Sequence, residues 1–168
     1  MRNNRSTICQ PLPPWLVKTT ISVSDVHNMI EHSCKEGFSI FCLDGRNMTS
    51  LDGVFEEFGD SLKFPDYYGR NSAALEECLT DLSWIQSAGY VIVVANACLL
   101  LRDEPPSELT WLMALLDRVC KEWCHPISVG EEWDRPAVPF HVVFLSEPNG
   151  GATFPLQVAS LPELLFND

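Results

Sequence analysis

Three short apolar runs, Phe38-Ser-Ile-Phe-Cys-Leu43, Tyr90-Val-Ile-Val-Val-Ala95 and Phe140-His-Val-Val-Phe-Leu145, are nearly continuous in hydrophobicity where a half-exposed strand would alternate. Continuity over so few residues marks strands covered on both faces, as in a parallel sheet. Between the runs the spacing turns helical. Thr49 or Ser50 can cap a helix with Leu51, Val54, Phe55, Phe58 and Leu62 on one stripe and Asp52, Glu56, Glu57 and Asp60 on the other. A second helix follows Asn71. It buries Ala74, Leu75, Cys78, Leu79 and Leu82, and turns Ala73, Glu76, Glu77 and Thr80 outward at i, i+3, i+4, i+7. Beyond Cys98 to Leu101 and Pro105-Pro106, a Ser107-capped helix buries Leu109, Leu112, Met113, Leu116, Val119 and Cys120. Strands alternating with helices specify an α/β domain with crossover helices.

Upstream, Trp15 to Ile21 reads as an additional strand, so the small parallel sheet has three strands, or four if this segment joins it. Ser24 then caps a helix through Val26, Met29, Ile30 and Cys34 that stops at Gly37, where a left-handed cap costs glycine least. Two segments lack periodicity. Cys124 to Pro139 is a long loop with Trp133 set among Glu131, Glu132 and Asp134, and Trp133 is expected to fold back onto the body. Ser146 to Asp168 is a tail ending in an apolar patch, Leu161 to Phe166. Loops of such length often carry function.

A length of 168 residues fits one domain, and 46% apolar content supports an ordinary core. No apolar run reaches the roughly 18 residues that a bilayer span needs. The basic segment Met1 to Gln10 has no apolar signal core behind it, so a cytoplasmic protein with no membrane partner is expected. The seven cysteines (9, 34, 42, 78, 98, 120, 124) follow no repeating spacing and mostly point inward, which reads as reduced thiols packed as small apolar groups. Cys120 and Cys124 lie one helical turn apart, but no second pair completes a metal site.

A net charge of −12 argues against nucleic acid as partner, because phosphate binding depends on Lys and Arg. It suits a cationic protein. From Asp44 to Asp81 the acids (44, 52, 56, 57, 60, 66, 76, 77, 81) outnumber the bases (46, 63, 70). That segment also carries Phe64-Pro65-Asp66-Tyr67-Tyr68-Gly69-Arg70-Asn71, where two tyrosines and a turn glycine open the helix with the paired glutamates. One tyrosine should pack against the sheet and the other be exposed, with Tyr67 the better contact residue. Asn71 fits a helix cap bordering the contact surface.

Leu43-Asp44-Gly45 at a strand end, the acidic helix, Phe64 to Gly69, Asn71, Ala74-Leu75 and Cys78-Leu79-Thr80 together resemble the barstar family, intracellular inhibitors of secreted ribonucleases such as barnase. The resemblance covers about 38–145, with 1–37 as an N-terminal extension packed on that domain and 146–168 as a tail. It implies an α/β barstar-like fold and a bacterial immunity or antitoxin role, in which carboxylates replace substrate phosphate in the active site of a basic ribonuclease or nuclease toxin. The implied partner-binding residues are Tyr67, Tyr68, Gly69, Asn71, Ala73, Glu76, Glu77 and Thr80, with Glu77 at the family's central aspartate. Ala73 stands where the reference inhibitor has a second aspartate, and Glu76 where it has tryptophan.

Two other classes remain open. One is a non-inhibitory regulatory module that binds an unrelated protein. The other is a metal-dependent hydrolase using Asp66, Glu76 and Glu77, against which stands the absence of a nearby nucleophile or His ligand. No cofactor, catalytic or metal residue is expected. His27 and His32, five apart on one helix, point away from each other, and His141 reads as a hydrogen-bonded core histidine. The identity of the target and the oligomeric state are not encoded in these patterns.

Overall fold

The computed structural model describes residues 7–146 and 153–164. Four strands, β1 (Leu16–Thr19), β2 (Phe38–Asp44), β3 (Gly89–Ala95) and β4 (Phe140–Leu145), form one all-parallel sheet in the order β1-β4-β3-β2. The segment around Trp15 to Ile21 therefore joins the sheet, pairing Leu16 with Val142 at one edge. Tyr90 faces Phe140 on one side of β3, and Phe38 faces Gly89 on the other.

Both sheet faces are covered at β3 and β4, which is why those apolar runs do not alternate, whereas β2, expected to be covered on both faces, lies at the sheet edge with only Leu43 buried and Cys42 exposed. Val17, Val91, Val93, Val143 and Leu145 point to the side of α1 (Val23–Ser33) and pack with Val26 and Ile30. Tyr90, Ile92, Val94, Phe140, Val142 and Phe144 point to the opposite side. There they meet α2 (Leu51–Ser61), α3 (Ser72–Asp81) and α4 (Pro106–Trp123) through Phe58, Leu75, Leu79, Leu112 and Leu116. A single turn, α5 (Leu156–Ala159), follows β4, and the chain beyond it bridges to β1 through Lys18 and Glu163. Of the apolar patch in the tail, Leu164 is buried, while Leu165 and Phe166 lie outside the described residues.

Several expected boundaries move. The cap of α1 is Ser22, whose hydroxyl accepts from Asp25 N at 3.1 Å, not Ser24, which lies inside the helix. That helix ends at Ser33; Gly37 adopts its positive φ in the turn into β2 and not as the helix cap. Ser107 is likewise inside α4, which opens on Pro106 with no side-chain cap, as suits a proline whose missing N–H is needed by no one there.

The cysteine reading also needs correction. Cys9 and Cys34 form a disulfide, because the 3-10 turn Thr7–Cys9 packs against the end of α1. Of the remaining thiols Cys78, Cys120 and Cys124 are buried, but Cys42 is exposed. Trp133 does not fold back: it is 64% exposed. No helix among the described residues is long and apolar enough to cross a membrane.

Candidate functional site

The segment between α2 and α3 is held from inside. Phe64 N donates to Gly59 O and Tyr68 N to Pro65 O, both at 2.9 Å. The Phe64 ring sits edge-on to Tyr68 at 4.8 Å and to Trp84 at 5.9 Å, and Trp84 Nε1 donates to Leu62 O. Tyr68 is the packed tyrosine, although it lies on α2 and not on the sheet. Its hydroxyl donates to Phe55 O at 3.1 Å, and a Cβ on Gly59 would come within 3.0 Å of its ring. Burial accordingly pushes its phenol far up.

Gly69 has a steric role: a Cβ there would lie 2.9 Å from Asn71 Nδ2, which donates to Gly69 O. The left-handed residue of this turn is Arg70, at φ +49°. Arg70 also pairs with Glu56 of α2 at 3.2 Å. Asn71 caps α3, its Oδ1 accepting from Ala74 N at 3.0 Å. Tyr68, Gly69 and Asn71 thus build the loop, and Tyr67 projects from it, 65% exposed.

On α3 the outward stripe is not uniform. Ala73 and Glu77 are exposed, and among the described residues no hydrogen bond or ion pair engages the Glu77 carboxylate. Thr80 turns its hydroxyl back to donate to Glu76 O at 2.9 Å. Glu76 is taken up by the protein itself: Arg118 of α4 donates to its two carboxylate oxygens at 3.0 and 3.2 Å. This pairing raises the Arg118 pKa above its ordinary value. A sequence pattern confined to α3 could not reveal a partner 42 positions away.

Asp81, one helical turn beyond Glu77, was not singled out from the sequence, although the i, i+4 spacing was legible. Partial desolvation, then the neighbouring Asp81, Cys78 and Glu77, hold the Tyr67 phenol above its ordinary value; of these Asp81 and Glu77 are exposed like Tyr67, and Cys78 is buried. A polar cleft of about 290 Å³ runs between α2 and the loop, lined by the acids Glu56, Asp60 and Asp66 and by Arg70, which pairs with Glu56. The ensemble is a fixed aromatic knob ringed by carboxylates, suited to guanidinium and ammonium groups. No group of three His, Cys, Asp or Glu side chains among the described residues could hold a metal. Cys120 and Cys124 are packed thiols raised by burial, and His27 pairs with Glu31 of its own helix. His141 sits between two backbone carbonyls, those of Gln10 and Pro14, in the core.

A family model described as Barstar (barnase inhibitor) matches residues 38–145. The chain belongs to the barstar family. Membership carries the fold, an α/β sheet with packed helices, and a family-level description as an inhibitor of barnase. A relative from Bacillus subtilis (strain 168), named "Putative ribonuclease inhibitor YrdF", is 44% identical over 43 residues, which make up 26% of this chain and 45% of that protein. The chain thus spans less than half the length of this relative.

Proposed function

We propose that this chain is an inhibitor, of immunity or antitoxin type and acting inside the cell, that blocks the active site of a basic ribonuclease or nuclease toxin. The observation that carries the reading is the joint exposure of Tyr67, of Asp81 and of the Glu77 carboxylate, which no hydrogen bond or ion pair engages among the described residues, on a loop and helix locked from within. A ribonuclease holds cations where RNA phosphate binds, and a rigid carboxylate presented there gains charge-assisted hydrogen bonds without further ordering. The Cys9–Cys34 disulfide ties the first turn to α1, away from α3, so its reduction would leave this face in place.

Two positions favour a second reading, a regulatory module for another cationic protein: Ala73 supplies no carboxylate, and Glu76 is already paired. Affinity capture with the native chain and with Glu77→Ala as paired baits, followed by RNA- and DNA-cleavage assays of what is retained, separates the two. A basic nuclease held by the native bait and lost from Glu77→Ala is expected. A specific partner devoid of nuclease activity would favour the regulatory module, and equal retention by both baits would contradict a role for α3.

A further inference from the structure

The loop joining α4 to β4 is a built display, unrelated in sequence to the tyrosine segment. Its base is an antiparallel bridge, Ile127 N to Arg135 O at 2.8 Å and Arg135 N to Ile127 O at 3.0 Å. The Arg135 guanidinium lies 4.2 Å over the Trp123 ring and donates to the carbonyls of Glu122, Trp123 and His125, which ties the loop to the end of α4. Its tip is shaped by Asp134, whose carboxylate accepts from Val129 N and Gly130 N, both at 2.9 Å. These two N–H groups hold the Asp134 pKa below the usual carboxylate range.

What this scaffold presents is apolar. Trp133 is 64% and Val129 68% exposed, with Glu131 and Glu132 exposed beside them. With its charged members Asp134 and Arg135 turned to internal bonds, the loop offers an indole, an isopropyl group and two carboxylates to a partner. Position matters equally. Glu76 bonds Arg118, and three residues further along α3 Leu79 O accepts from Trp123 Nε1 at 2.8 Å, so the two helices run side by side in the same direction. The loop therefore leaves α4 beside the end of α3 that carries Asp81.

We propose that Trp133 and Val129 form a second contact surface for the same cationic nuclease, inserting into an apolar pocket bordered by Lys or Arg next to its active site. This rests on the inhibitor reading of α3. The acids at 131 and 132 match a basic rim, the Trp133 face accepts a guanidinium, and the prior ordering of the loop spares the entropy that a mobile tryptophan would lose.

Titration of the isotope-labelled chain with a barnase-type ribonuclease, followed by NMR, tests this. Shifts are expected at the amides of Glu77 and Asp81 and at the Trp133 indole N–H. Trp133→Ser is expected to weaken binding by at least about tenfold and Val129→Ser by less, as for anchors of well-packed interfaces. Both residues are exposed, so thermal melts should not move. Shifts on α3 alone, with Trp133→Ser binding as the native chain does, would overturn the second surface and leave the inhibitor reading standing. No shift on either surface at saturating ribonuclease would overturn both.

Discussion

Replacing Glu76 by Gln separates a residue that grips the partner from one that braces the inhibitor. Its carboxylate receives two Arg118 bonds at 3.0 and 3.2 Å, but the side chains are 40% and 53% exposed. Two charges 4 Å apart in water attract by about 1 kcal/mol, and holding an Arg and a Glu in one geometry offsets part of that. Exposed pairs measured by double-mutant cycles give roughly 0.2–1 kcal/mol, and the two-pronged geometry places this one in the upper half. Glu76→Gln and Arg118→Met should each lower stability by about 0.5–1 kcal/mol, or some 2 °C in Tm, with a coupling of similar size in the double variant that shrinks in high salt. Nuclease binding by Glu76→Gln should fall less than about threefold, below 0.7 kcal/mol. Denaturant melts of the four proteins and calorimetric titration give both quantities. Zero coupling together with a large binding loss would refute the reasoning, since Glu76 would then leave Arg118 for the partner.

Three further outcomes are expected. Association with the nuclease should slow more with rising ionic strength than dissociation accelerates, because Asp60, Asp66, Glu77 and Asp81 steer from an exposed face; stopped-flow traces insensitive to salt would exclude this. Against a barnase-type ribonuclease inhibition should be weak in the native chain and improve by an order of magnitude or more, about 1.4 kcal/mol, in Ala73→Asp/Glu77→Asp, which restores an acceptor at 73 and shortens the reach at 77; an inhibition titration showing no gain would contradict the role of position 73. Burial holds His141 below its ordinary pKa despite two carbonyl acceptors, so its contribution to stability is complete above about pH 6.5 and drains as pH falls through the lowered folded value. Tm should therefore drop between pH 7.5 and 5 by more in the native chain than in His141→Gln, and identical profiles would exclude His141 as a source of the drop.

Much of the architecture was legible because the cores on the two sheet faces leave β3 and β4 as unbroken apolar runs, and β2, although only partly buried at the edge, keeps the same apolar character. Even β1 announced itself in Trp15 to Ile21, and the strand pairing placed it at the edge. Caps were less legible where candidates crowd: Ser22 and Ser24 flank one valine, and only the first hydroxyl reaches Asp25 N. What failed was long-range. Cys9 meets Cys34 only because the first turn folds under α1, and Glu76 meets Arg118 only because α3 lies along α4. Trp133 was expected inward as a large apolar group in a loop, yet the loop's inward contact is made by Arg135 over Trp123, and Trp133 stays 64% exposed. At the candidate site the loop builders Tyr68, Gly69 and Asn71 and the exposed pair Tyr67 and Glu77 sit on the elements their spacing indicated, whereas Asp81 needed the geometry to join them.

The most direct measurement compares the affinity of the captured nuclease for Glu77→Ala and for Asp52→Ala. Both remove one exposed acid, but Asp52 lies in the first turn of α2, and Glu56, another exposed acid of that helix, is bound to Arg70 and so is a poorer control. Loss of about 2 kcal/mol or more for Glu77→Ala, against a few tenths for Asp52→Ala, is expected if α3 carries the central anchor. Equal losses would mean that the partner responds only to diffuse negative charge, and the α3 face would not be the binding site.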